Sequence, residues 1–137
     1  MTPLARWVLV GVVCGALSVL LFHQGAAALL HALGYTPRAP YSWQPTAPWG
    51  VPQVLSISFW GGLWGAVLAA SFGRLRGARL LLAAAIFGAV LPTLVAWFLV
   101  APLKGLPLRL SLIGPLLNGL WGLGTGIGLA LFGRARR

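Results

Sequence analysis

The side chains of this chain that could do chemistry are few, and none is acidic. The 137-residue sequence holds ten Lys and Arg, two His, one Cys and no Asp or Glu. His23, Gln24, Ser56, Ser58, Thr93 and Asn118 stand inside otherwise apolar runs. An imidazole, carboxamide or hydroxyl there can bind a ligand through hydrogen bonds or tie helices together. The missing carboxylates exclude paired-carboxylate hydrolysis, a Ser-His-Asp triad and an Asp/Glu proton relay. A Ca²⁺ site built from side-chain carboxylates is excluded too. His23 and His31 are separated by about 12 Å along a helix, too far to share one metal ion or haem iron. No Cys, Asp or Glu completes a ligand set around either. No catalytic residue, metal or cofactor is therefore expected, and the chain reads as non-enzymatic. His31 reads as an interfacial residue. Cys14, between Val13 and Gly15, reads as a small buried hydrophobe.

The elements that carry these groups must be membrane helices. Hydrophobic residues make up 59% of the sequence and charged residues 7%, against about 25% charged in a soluble domain. A hydrocarbon core of about 30 Å needs roughly 20 apolar residues of helix. Four runs meet that requirement, at 7–33, 54–72, 80–103 (interrupted by Pro92) and 110–132. The expected fold class is all-α: a four-transmembrane-helix bundle forming a single integral membrane domain over residues 1–137. The first run persists too long for a cleaved leader and is read as an uncleaved helix that tilts or protrudes. Between the first two runs, residues 34–53 hold five of the ten prolines together with Tyr35, Tyr41, Trp43 and Trp49. Proline removes donors and fixes φ, so neither helix nor strand is expected there. The amphipathic aromatics suit the headgroup layer.

Counting along the spans predicts that the polar residues share one level. His23 falls about 24 Å from the cytoplasmic end of its helix. Gln24, Ser56, Ser58, Thr93 and Asn118 come out at a similar depth in the outer leaflet. Such groups are costly in lipid and should face inward. Two readings stay open: an interhelical clasp, in which His23 meets Asn118, or a ligand pocket beneath the Pro/Trp loop.

Small residues recur four apart: Gly11 and Gly15, Gly61 and Gly65, Gly122 and Gly126, Gly124 and Gly128, with Ala84 and Gly88 on the third span. This spacing lets helix backbones approach closely. It serves packing within the bundle or self-association, and the fourth span has glycine on more than one face. A repeat accompanies it. GLWG followed by an apolar stretch and FGR occurs at 62–74 and, with three extra residues, at 119–134. The first and third spans share Gly-Ala-Leu/Val at 15–17 and 88–90. The pattern is that of a duplicated helical hairpin in one orientation, or of chance in a sequence rich in Gly, Leu and Trp.

Orientation follows from the basic residues. Arg6, Arg74, Arg76, Arg79, Arg134, Arg136 and Arg137 fall on the side of the termini, and Arg38, Lys104 and Arg109 on the other. The bias puts both termini in the cytoplasm. The cluster of Arg74, Arg76, Arg79, Arg134, Arg136 and Arg137 can also contact anionic lipid on that face. Because the charge sits at span ends, nucleic acid is not an expected partner.

The segments FHQGAAALLHALG (22–34), PTAPWGVPQVLSISFWGGLWG (45–65) and NGLWGLGTG (118–126) resemble a family of small bacterial inner-membrane proteins with four helices. The resemblance covers most of the chain and implies location and fold without an activity. The Trp-rich translocator family has five spans and shares only the Pro-Trp character of the loop. Fluoride channels match in length but insert in both orientations. The functional expectation is an accessory or structural membrane subunit that self-associates or docks on a larger complex. The alternative is a small transporter or channel for a neutral, anionic or lipid-like ligand.

The orientation is checked with single cysteines at Ala47 and Ala135 in a Cys14-free background. On intact spheroplasts an impermeant maleimide should label position 47 and spare 135; the reverse pattern contradicts the assignment.

Overall fold

Thr2 starts the first helix: its hydroxyl accepts from the Ala5 amide at 3.1 Å, and Pro3 occupies the first helical position, where its missing N–H is not needed. In the computed structural model, which describes residues 1–133, the chain forms four helices long and apolar enough to cross a membrane: Pro3–Ala32, Gln53–Phe72, Gly77–Leu103 and Ile113–Phe132. They are called here the first to fourth spans. Arg134, Arg136 and Arg137 lie outside the described residues.

The boundaries differ from the expected ones in physically simple ways. The first span begins at Pro3 rather than Trp7 because of the Thr2 cap. At 30 residues it is about 45 Å long, half as long again as a hydrocarbon core. The third begins at Gly77, whose φ of +56° turns the chain directly out of the second span. The fourth begins at Ile113 rather than Leu110, with the Ser111 hydroxyl accepting from the Ile113 amide at 3.2 Å. The loop between the first and second spans contains one antiparallel pairing, Pro45–Thr46 with Val51–Pro52, contrary to the expectation of no strand. It is a tight turn in which Thr46 donates its hydroxyl to the Val51 carbonyl at 2.7 Å and accepts the Gly50 amide on its own carbonyl. Pro45 and Pro52 stand opposite each other. The pair ends there, as prolines without N–H groups require.

In lipid no hydrophobic force drives helices together, so contact depends on how closely their backbones approach. The first and second spans meet through bare backbone. A Cβ added at Gly11 would lie 2.5 Å from the Gly65 carbonyl oxygen and 2.6 Å from Ala69 Cβ. One added at Gly15 would collide with the Gly61 carbonyl, and one at Gly65 with the Gly11 carbonyl. The third and fourth spans repeat the arrangement. Gly122 lies against the Ala84 carbonyl, Gly88 against the Asn118 carbonyl, and a Cβ on Gly126 would come within 2.9 Å of Ala84 Cβ.

Aligning the two sequence repeats makes these contacts equivalent one by one. Gly11 corresponds to Ala84, Gly15 to Gly88, Gly61 to Asn118, Gly65 to Gly122 and Ala69 to Gly126. The same positions make the same interface in both hairpins, as a duplicated hairpin requires.

The hairpins join through the first and fourth spans. A Cβ on Gly128 would lie 2.6 Å from Cys14 Sγ, and one on Gly124 would overlap Ser18 and Phe22. The fourth span therefore spends one glycine face, Gly122 and Gly126, on the third span. The other, Gly124 and Gly128, goes to the first. Its glycines serve packing inside the chain. The second and third spans touch through aromatic edges instead, Phe87 meeting Trp64 at 5.9 Å and Phe72 at 5.8 Å between ring centroids. At the end bearing the N-terminus, Trp7 is packed against Gly73 and Gly133 and donates its indole N–H to the Ala69 carbonyl at 2.7 Å.

Gly122→Ala should lower the melting temperature of the detergent-purified protein, since overpacking of this kind costs about 1–3 kcal/mol. Gly119→Ala, whose Cβ would meet nothing closer than Ala89 Cβ at 3.4 Å, should leave it nearly unchanged. Equal melting of the two variants contradicts the close approach.

Candidate functional site

Antiparallel register between the first and fourth spans, set by Gly128 on Cys14 and Gly124 on Ser18, brings Asn118 level with Gln24. The predicted depths thus agree. No single network joins them, because the groups divide between separate sets of contacts.

One network ties the loop to the first span. Between Val19 and His23 that helix opens into a π-helical turn, with the Gln24 amide bonded to the Val19 carbonyl. Widened turns of this kind are frequent at functional sites and expose carbonyls to outside donors. Here the Tyr41 hydroxyl donates to the Leu20 carbonyl at 2.6 Å, and the Tyr41 amide donates to Gln24 Oε1 at 2.7 Å. Gln24 Nε2 stands 3.0 Å from His23 Nδ1. Tyr41 takes a positive φ of 52° to make both contacts, an uncommon conformation for a bulky residue. The next residues run on to the second span, where the Ser42 and Gln44 carbonyls accept the Val54 and Gln53 amides. The loop thereby caps the second span, whose first amides have no partner of their own.

A second network joins the third and fourth spans, where Asn118 Nδ2 donates to Thr93 Oγ1 at 2.9 Å. Thr93 is 2% exposed, so its hydroxyl needs this partner. Pro92 lacks an N–H, and the helix continues past it with the Ala96 amide shared between the Pro92 and Thr93 carbonyls. Among the described residues no hydrogen bond links His23 to Asn118. Ser58 bonds its own helix, donating to the Val54 carbonyl at 2.7 Å, and Ser56 is half-buried without joining either network. His31 is exposed near the end of the first span that leads into the loop, with Nδ1 2.9 Å from the Thr36 carbonyl.

A third set of polar contacts was not anticipated. Trp121 donates its indole N–H to the Gly15 carbonyl at 2.9 Å, while the Ser18 hydroxyl donates back to the Trp121 carbonyl at 2.7 Å. Thr125 donates to that same carbonyl at 2.9 Å. This reciprocal clasp fixes the first span on the fourth. The signal available in the sequence was the tryptophan of the second GLWG, but its counterpart Trp64 packs on Phe87 instead.

The described surface also carries a shallow, open groove of about 320 Å³ between the third and fourth spans. Its lining includes Ala85, Ala89 and Gly119 together with Pro115, Leu116 and Leu120. Each of these residues is apolar. At the end near the N-terminus Arg74, Arg76 and Arg79 are exposed beside the turn into the third span, as is Arg6. Arg38, Lys104 and Arg109 are exposed at the opposite end. Among the described residues no group of three His, Cys, Asp or Glu side chains comes together. No known protein family, curated protein or solved structure matches this chain.

Proposed function

We propose that this chain is a non-enzymatic subunit of the bacterial inner membrane that docks on a larger membrane complex. In this reading both termini are cytoplasmic, and Arg74, Arg76 and Arg79 meet anionic headgroups on that face. The observation that carries the proposal is the groove between the third and fourth spans. The small-residue faces Gly11/Gly15, Gly61/Gly65, Gly122/Gly126 and Gly124/Gly128 are used up inside the bundle. Ala85, Ala89 and Gly119 are half-buried and line the groove instead, forming the kind of small-residue surface against which a transmembrane helix packs. A two-fold pairing of two copies would fill the groove only with a ridge from the same patch of the partner copy. A ridge from another protein's helix fits better.

The polar contacts support the alternative of a transporter or channel less well. Thr93 and Asn118 bond each other, and Ser58 bonds its own helix, so these donors serve packing rather than a ligand path.

Leu116→Trp and Ile86→Trp fill the groove from exposed positions of its lining. Cells carrying either variant should retain the folded protein, judged by melting after purification, and lose photo-crosslinks formed from a probe at Ala85. Mass spectrometry of the wild-type adduct should identify a second membrane protein. An adduct between two copies of this chain, or crosslinks that survive both substitutions, overturns the docking proposal.

A further inference from the structure

The contacts of Gln24 fix the protonation pattern of His23. A backbone amide can only donate, so the Gln24 atom 2.7 Å from the Tyr41 amide is the carboxamide oxygen. The other carboxamide atom, 3.0 Å from His23 Nδ1, is therefore the NH₂ group, and it donates. An imidazole nitrogen that accepts carries no proton. His23 is then a neutral ring with its proton on Nε2, a tautomer set by its neighbour.

Among the described residues Nε2 has no hydrogen-bond partner, while every fully buried side-chain nitrogen and oxygen has one. The Nε2–H therefore reaches the surface of the bundle. It does so about 24 Å above Trp7, within a core of roughly 30 Å, hence just below the outer hydrocarbon boundary. An N–H at such a depth is costly without an acceptor. The molecules that offer acceptors there are those dissolved in the bilayer. The π-helical turn and the Tyr41 strap hold the ring's other nitrogen engaged, so the donor is fixed in direction before anything binds.

We propose that His23 Nε2–H is a single-donor recognition point for a carbonyl oxygen of a membrane-dissolved molecule in the outer leaflet. A glycerol ester of a phospholipid and a quinone-type ring carbonyl share that chemistry. The site lies on the first span, apart from the spans that line the docking groove, and stands or falls independently of docking.

The test is ¹⁵N solid-state NMR of histidine-labelled full-length protein in nanodiscs. Four environments are compared: ester-linked phosphatidylglycerol and its ether-linked analogue, each without and with a short-chain benzoquinone. Gln24→Leu serves as a control that releases the tautomer. In the wild type His23 should be protonated at Nε2 and bare at Nδ1 throughout. Its Nε2 resonance should shift in the ether lipid and return when the quinone is added. If the quinone also shifts the resonance in ester-linked discs, the preferred ligand is a free carbonyl compound. If it does not, the preferred ligand is the phospholipid ester, and both results uphold the site. A proton on Nδ1, or an Nε2 resonance identical in all four environments, overturns it.

Discussion

Backbone touching backbone is the constraint on which the rest of this molecule depends. Lipid gives apolar side chains no reason to leave it, so helices here are held by dispersion at short range and by a few hydrogen bonds. Gly11, Gly15, Gly61 and Gly65 in one hairpin, and Ala84, Gly88 and Gly122 in the other, remove the side chains that would hold the helices apart. Once the backbones are that close, carbonyl oxygens of one helix come within reach of donors on the next. Trp121 and Ser18 use this reach across the first and fourth spans. Individual intramembrane hydrogen bonds average only about 0.6 kcal/mol in double-mutant cycles, so the polar contacts set register and rotation while packing holds the helices together.

The two hairpins share their internal interface but not their surroundings. Between the first and fourth spans the approach is close and polar, through Gly124, Gly128, Ser18 and Trp121. Between the second and third spans it is made by the rings of Trp64, Phe72 and Phe87. Trp64 and Trp121 occupy equivalent places in the repeat, yet one packs edge-on against a phenylalanine and the other clasps a backbone. The two hairpins are thus joined unequally, with one joint closed by hydrogen bonds and the other by aromatic contact. The loop between the first and second spans adds to this asymmetry by strapping Leu20 and Gln24 of the first span and capping the start of the second.

The four spans were legible because apolar runs bounded by Pro, Gly and Arg have no other stable home. The small-residue spacing was legible for the same reason, and the repeat in it aligned the contacts of both hairpins. Helix rotation was not. Each span is apolar on nearly every face, since one side meets lipid and the other meets helix, so periodicity does not separate them. His23 and Asn118 could therefore be given a common depth but not a common network, and Ser18 and Thr125 went unnoticed among their neighbours. The glycines of the fourth span illustrate the same gap. Their two faces were visible, but that both turn inward follows only from the contacts with Ala84 and Cys14. The strand pair in the loop was hidden by the prolines that flank it.

The equivalence of the hairpins is most directly tested by disulfide trapping at matched positions in membranes, in a Cys14→Ala background. A Cβ on Gly62 would lie 3.8 Å from Ala16 Cβ, and one on Gly119 would lie 3.4 Å from Ala89 Cβ, both close to the separation of about 3.8 Å that a disulfide spans. The pairs Ala16→Cys with Gly62→Cys and Ala89→Cys with Gly119→Cys occupy corresponding places in the repeat. The account predicts that both pairs oxidise within one chain to similar extents. Trapping of one pair without the other, or of neither, contradicts the common interface.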